Sequence, residues 1–408
     1  MSTRVDPIRK LWRTLLRIYY KIEKQILSDP RKLNVFKSIV CLLPLNPHKV
    51  VFNSFNGGGY GENPKYIAEE LLKRKGKAKI VWIVNSNQYL FPKGVTPINK
   101  YSLRAYYEYA TAKAWVLNAR YYRLTEKRKS QIYLQTWHGG IAIKKIEKDA
   151  EEKLLESYVK SAKEDGRVTD GIIVDGQTNE EIFKSSFWLN PNCELLKYGQ
   201  PRIDALLKNR DNTALNERVR EALGIEKDSF FVLYAPTFRQ SKSTLGYIYD
   251  YPTIKKALEK RFGKTSIAIR LHPVIATDKS IRYDNIGIEN LIDATAYPDV
   301  QELVLSADCL ISDYSSIIYD FALIRKPVFL LLKDHEEYVQ ERGVYDIFYN
   351  QPFNMNYSES SLVNDIEHFS QECMLERIDA FYKKYQTYNA GHSSELTVDW
   401  LLNKGLKN

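Results

Sequence analysis

His138 lies in Gln135-Thr136-Trp137-His138-Gly139-Gly140, directly after the apolar run Ile132-Tyr133-Leu134 and a few residues before the basic pair Lys144-Lys145. An imidazole titrates near neutral pH, so at the carboxyl end of a strand it is placed for acid–base chemistry on a ligand in the crevice of an open α/β sheet. His272, in Ile269-Arg270-Leu271-His272-Pro273, repeats the arrangement in the other half of the chain. Two strand-end histidines point to a catalytic cleft between two similar domains. The plainer reading, a structural histidine closing a turn, fits one such residue better than a matched pair.

Three further segments carry groups suited to phosphate. Tyr234-Ala235-Pro236-Thr237-Phe238-Arg239 follows a strand pattern, and a guanidinium at its end can clamp a diphosphate with parallel hydrogen bonds. The run Ala307 to Ser312 leads into Asp313-Tyr314-Ser315-Ser316, with Asp320-Phe321 beyond. Hydroxyls at a strand-to-helix turn beside unbonded first-turn amides make an anion pocket, and simple capping by Ser315 uses the same geometry. Gly57-Gly58-Gly59-Tyr60-Gly61 also joins a strand to a helix, but Glu62 replaces the third glycine of a dinucleotide fingerprint. An acceptor-binding loop and a tight turn both remain open there.

The elements that must hold these residues alternate. Strand patterns at Val50–Phe55, Ile80–Asn85, Trp115–Asn118, Ile132–Gln135 and Gly171–Val174 are separated by helix patterns that include Tyr66–Lys73, with Asn63-Pro64 as its cap and first turn, Ser102–Ala112 and Glu180–Phe187. After Gly199-Gln200-Pro201-Arg202 the alternation restarts with strands at Phe230–Tyr234, Ser266–Leu271, Asp308–Ser312 and Val328–Leu332. From about Ser360 the chain reads as helical. Strand–helix alternation implies parallel sheets, so two doubly wound domains are expected, over residues 47–200 and 201–408.

Residues 1–46 differ. From Arg4 to Lys32 there are nine Lys or Arg against Asp6, Glu23 and Asp29, and Leu11, Leu15, Tyr19, Ile22 and Ile26 follow a helical period widened by Trp12 and Leu16. A basic amphipathic helix of this kind suits an anionic membrane surface; a helix packed on its own domain is the alternative.

The chain has 408 residues, 44% hydrophobic and 27% charged, with a formal net charge of +10. These values exclude extensive disorder and favour an anionic partner: phosphate-rich polymer, membrane surface or nucleic acid. No RNA-binding signature is present, and much of the excess charge is local to the amino terminus, so nucleic acid is not expected. Cys41, Cys193, Cys309 and Cys373 are scattered without metal-ligand spacing, which reads as a reducing, cytosolic environment with Cys41 and Cys309 buried. No cleavable signal peptide and no bilayer-spanning run are seen.

Trp137-His138-Gly139, Gly199-Gln200-Pro201-Arg202-Ile203-Asp204, Tyr234 to Arg239, Arg270-Leu271-His272-Pro273 and Ser312-Asp313-Tyr314-Ser315-Ser316 occur in that order. This ordered set resembles the CDP-glycerol glycerophosphotransferase family of teichoic acid synthesis, over roughly Val50 to Leu332. Two departures fall in the first half. The family's usual Thr-Pro-Leu-Lys after His-Gly is Gly140-Ile141-Ala142-Ile143-Lys144, and Val174-Asp175-Gly176-Gln177 lacks a serine-rich turn.

The resemblance implies a GT-B fold, with acceptor on the first domain and CDP-alcohol on the second. It implies His138 acting on the acceptor hydroxyl, His272 near the donor diphosphate, and Ser315 and Ser316 on phosphate; Gly139, Gly140, Lys144, Arg239 and Asp313 complete the expected substrate contacts. The expected reaction moves glycerol phosphate from CDP-glycerol to a lipid-linked teichoic acid or capsule-type acceptor at the cytoplasmic face of the membrane. No cofactor is evident, and Mg²⁺ on the donor diphosphate is compatible with the sequence. Rivals are a nucleotide-sugar GT-B glycosyltransferase, a CDP-ribitol-dependent transferase, and a non-catalytic basic binding protein.

Overall fold

Each β-strand in the core of this protein buries both faces, and its side chains alternate between two apolar layers. The computed structural model describes residues 7–86, 89–121, 125–237, 239, 247, 250–271 and 291–408. In the first sheet, β1 (Asn46–Asn53) sends Val50 and Phe52 to one face and Val51 to the other. In the second, β8 (Phe230–Ala235) sends Phe231 and Leu233 one way and Val232 and Tyr234 the other. Near-continuous apolar strands of this type require helices on both sides.

The first sheet adds β2 (Lys79–Val84), β3 (Val95–Asn99), β4 (Ala112–Leu117), β5 (Ile132–Gln135), β6 (Gly171–Ile173) and β7 (Glu194–Leu196). Its order is β3-β2-β1-β4-β5-β6-β7, parallel throughout. The second sheet adds β9 (Thr265–Ile269), β10 (Ile292–Asp293), β11 (Cys309–Ser312), β12 (Val328–Leu331) and β13 (Met355–Asn356), in the parallel order β10-β9-β8-β11-β12-β13. Both orders reverse beside the first strand of their domain, at β1/β4 and at β8/β11. Such switch points open a crevice at the carboxyl ends of the strands. Two doubly wound domains facing across a cleft are the GT-B arrangement.

The chain crosses between domains twice. Gly199 leads the first crossing at φ 76°, and a Cβ there would lie 2.6 Å from the Asn389 side chain of the second. Gln200 N donates to Asn389 Oδ1 (2.7 Å), and Gly176 bridges Thr387. The helix Ser393–Asn403, counted with the second domain from sequence, then packs on the first: Val398, Trp400 and Leu401 share its core with β1, β5 and β7. Asp204 caps this helix, accepting from Ser393 N and Ser394 N.

At the amino terminus, helices Pro7–Leu27 and Pro30–Leu42 form a hairpin, with Asp29 accepting from Arg31 N and Lys32 N to start the second. Glu23 is buried and accepts from Leu103 N (2.9 Å), which fixes the hairpin to the helix Leu103–Thr111. Leu15, Ile18, Tyr19, Ile22, Val35, Ile39 and Leu42 are exposed, so much of the apolar stripe does not pack on the protein's own domain. Among the described residues no helix is long and apolar enough to cross a membrane. Cys309 is buried as expected, whereas Cys41 is only half-buried.

Candidate active site

The segment Thr136 to Ile146 leaves β5 and crosses the cleft. Trp137 is held at φ 55°, outside the range most L-residues adopt. Its N–H donates to Gln135 Oε1 (2.9 Å), and its carbonyl accepts from Asn63 Nδ2 (3.1 Å). Asn63, read from sequence as a helix cap, lies instead inside the helix Glu62–Lys73, which Gly61 caps; its amide ties together Trp137, Gln200 and Arg202 N. A cap and a cleft anchor look alike in sequence, since both are an Asn before a helix.

The turn at Trp137 delivers His138 half-buried between Trp137, at a ring separation of 4.4 Å, and Phe55, edge-on at 5.4 Å. His138 Nδ1 lies 2.7 Å from the Asn118 carbonyl oxygen. A carbonyl only accepts, so Nδ1 carries a proton, and in the neutral ring the lone pair is on Nε2. That is the tautomer a general base needs.

Beyond His138 the segment docks on the second domain. Gly140 N donates to Ser316 Oγ (3.1 Å), and a Cβ at Gly140 would come within 3.3 Å of Arg202 Nη2, a tight contact that a side chain could make only if the guanidinium shifted by a few tenths of an ångström. Ile141 and Ile143 insert into the second domain's core, and Lys144 pairs with Val344 in an antiparallel bridge. Tyr345 N donates to Ile143 O (2.8 Å), and Lys145 N donates to Gly343 O (3.1 Å). Burial lowers the Lys144 ammonium to about 8, helped by the charges of Arg342 and Arg239 and opposed by Asp313. No hydrogen bond or ion pair to Lys144 Nζ occurs among the described residues.

Arg202, from the first crossing, is buried beneath this segment. It donates to the His138 carbonyl (3.1 Å), to Glu62 on the first domain (3.1 Å) and to Asp320 on the second (3.2 Å). Asp175 lies nearby, bonded to Asn179 Nδ2 (2.6 Å). Burial pushes all three carboxyls up, Asp175 to about 6, against the pull of Arg202. Arg202 stands in the motif Gly199 to Asp204, whose spacing alone assigns it no task.

On the second domain, Asp313 and Arg239 prove to be framework. Arg239 makes five hydrogen bonds: to Asp334 from Nε and Nη2, to Asp313 from Nη2 (2.9 Å), and to the Thr237 carbonyl and hydroxyl from Nη1. A guanidinium has five N–H donors, so none is left for the expected diphosphate clamp. Asp313 also accepts from Thr237 N and Tyr314 N, joining the loops after β8 and β11. Ser315 and Ser316 are half-buried at the start of the helix Ile317–Leu323, and no side chain caps it. Capping by Ser315 is therefore not their task. Gly139 lies one residue before the Gly140 contact with Ser316, its carbonyl accepting from Gln200 Nε2. His272 lies outside the described residues. The segment from Thr136 thus carries His138 on the first domain's side of the cleft and brings Gly140 to Ser316 and Lys144 within the field of Asp313 on the other.

Residues 35–403 match the family model described as CDP-glycerol:poly(glycerophosphate) glycerophosphotransferase. The chain belongs to this family. It is 30% identical over 386 residues to the teichoic acid poly(glycerol phosphate) polymerase of Bacillus spizizenii, covering 89% of this chain and 94% of that protein. It is 29% identical over 385 residues to the polymerase of the same name from Staphylococcus epidermidis, covering 89% of this chain but 51% of that one, so it spans about half the length of this longer relative. A solved structure of the wall teichoic acid polymerase TagF, a histidine variant soaked with CDPG, superposes with a TM-score of 0.78 at 27% identity, covering 98% of each chain. Two parallel-sheet domains are thus this glycerophosphotransferase family's architecture.

Proposed function

We propose that this protein transfers glycerol phosphate from CDP-glycerol to a hydroxyl of a teichoic-acid-type acceptor and releases CMP. The observation that carries the reading is the single segment from Thr136 to Ile146, which sets His138, with Nδ1 on a carbonyl, and Lys144, without an ion pair among the described residues, on opposite sides of one cleft in a chain of this family. An alcohol is a weak nucleophile at neutral pH. His138 Nε2 takes the acceptor hydroxyl proton while that oxygen bonds to the phosphorus bearing glycerol. The bond from this phosphorus to the bridging oxygen breaks, and its electron pair leaves on CMP. Lys144 and the hydroxyls of Ser315 and Ser316 hold the diphosphate charge, with His272 proposed as a further partner; a diphosphate would in turn neutralise Lys144, whose burial Asp313 offsets only in part. Asp313 and Arg239 keep the floor of the pocket rigid.

The acceptor is proposed to be lipid-linked, and the exposed apolar residues of the basic hairpin to rest on the anionic leaflet that carries it. The test is incubation of the purified protein with CDP-glycerol, CDP-ribitol or a UDP-sugar over membrane extract, with the released nucleotide identified. CMP from CDP-glycerol alone is expected. CMP from CDP-ribitol only, or UDP from a sugar donor, would move the protein to a neighbouring reaction class.

A further inference from the structure

The proposed chemistry gives no task to Phe55. This residue is 45% exposed and held at φ 45°, followed by Asn56 at φ 55°, in a region that bulky L-residues avoid. The strained turn is pinned on every side. Phe55 N donates to Asn118 Oδ1 (2.8 Å), Gly57 N donates to Asn53 Oδ1 (2.8 Å), and Lys100 Nζ donates to the Asn56 carbonyl (2.9 Å). Core packing does not account for this outlay, because the ring belongs to none of the buried clusters. The ring meets His138 instead, edge-on at 5.4 Å. Asn118 fixes both: its side chain holds the Phe55 backbone, and its carbonyl holds His138 Nδ1. Strain that persists because its surroundings over-determine it is a pointer to function.

We propose that Phe55 is the platform on which the acceptor's terminal polyol or sugar unit stacks, and so a specificity-determining residue for the acceptor. The inference rests on His138 as the base. A hydroxyl delivering its proton to Nε2 lies about 3 Å from it. A ring centred 5.4 Å from the imidazole is near enough for the carbon skeleton behind that hydroxyl to rest on it. Polyols and sugars present a C–H face to an aromatic ring, whose negative face attracts it, while their hydroxyls stay in water. A phenyl ring also brings no hydrogen-bonding atom to compete with His138 for the proton.

The test uses the full chain and a short synthetic oligo(glycerol phosphate) acceptor. Its binding is read by calorimetry without donor, so a protein inert towards CDP-glycerol would sink the proposed reaction while still testing Phe55. Phe55→Ala and Phe55→Gly are expected to weaken acceptor binding about three- to tenfold, the equivalent of one favourable ring contact. Phe55→Tyr and Phe55→Trp are expected to restore it. CDP-glycerol affinity should stay within twofold, and in turnover the acceptor KM should rise far more than kcat falls. Because the backbone sits in the left-handed region, Phe55→Gly should leave Tm unchanged or raise it. Acceptor affinity unchanged in the Ala and Gly variants, or a fall in Tm that tracks the loss of binding, overturns the proposal.

Discussion

His138 and Lys144 lie on one segment six residues apart, yet the proposed reaction gives them opposite tasks, one to take a proton and the other to hold a charge. His138→Ala should cut turnover by about 10² to 10⁴, the usual loss of a general base, with CDP-glycerol affinity by calorimetry nearly unchanged. A variant keeping most of its turnover would remove His138 from the mechanism. Lys144 makes a pH prediction. Its ammonium loses the proton near pH 8, because burial disfavours the charged form. Attraction for the diphosphate is therefore full below about 8 and declines above it, so donor affinity should fall between pH 7.5 and 9.5. Lys144→Met should bind donor roughly tenfold or more weakly, the scale of a lost charged hydrogen bond, and should lack that decline. A wild-type affinity flat across this range would place the diphosphate elsewhere. In sequence, His138 was legible as an imidazole just past a strand and Lys144 as half of a basic pair a few residues on. What Arg239 and Asn63 do was not. A guanidinium after a strand reads the same whether it faces ligand or, as here, spends every donor on Asp313, Asp334 and Thr237.

At the scale of elements, the strands that the sequence patterns missed share one property. β3, β7, β10 and β13 are the outermost strands of their sheets, and three of them are only two or three residues long. An edge strand needs little apolar surface, and β3 carries Pro97, which a central strand would exclude. The central strands, buried on both faces, were all visible as apolar runs. The amino-terminal hairpin was legible as amphipathic, but not as exposed, because exposure depends on what the rest of the chain fails to cover. Its basic residues should each add about 1 kcal/mol of attraction to an anionic bilayer at low salt, fading as the Debye length shrinks. Vesicle flotation should therefore show the full chain on anionic but not neutral vesicles, released by about 0.5 M salt, and a variant starting near Val35 unbound at any salt. Full-length protein that ignores anionic vesicles at low salt would end the membrane reading. Aggregation of the shortened variant would mean that the hairpin covers its own domain.

At the scale of the whole molecule, the two domains do not divide the chain into two halves. The first closes only when the helix Ser393–Asn403 returns to it, burying Val398, Trp400 and Leu401 against β-strand side chains. Full burial of three such side chains is worth roughly 5–9 kcal/mol, comparable to the net stability of a typical domain, about 5–15 kcal/mol. A chain ending at residue 392 should therefore lose cooperative unfolding of its first domain, read by scanning calorimetry as a missing or strongly lowered transition while the second domain's transition persists. Retention of both transitions would show that the helix is an accessory. The helix itself was visible in sequence; its destination was not, because an apolar stripe does not name its partner.

That return path sets a timetable for synthesis. About 200 residues separate β7 from the closing helix, and at roughly 5–20 residues per second a ribosome takes about 10–40 s to make them. Throughout that interval the surface around Gly171 and Leu196 that Trp400 and Leu401 will cover lies bare beside the exit tunnel. The second domain can fold as it emerges, whereas the first, although made earlier, is completed last. A pause within the second domain would thus leave its damage in the first, where the nascent chain is most open to chaperones and to misassociation.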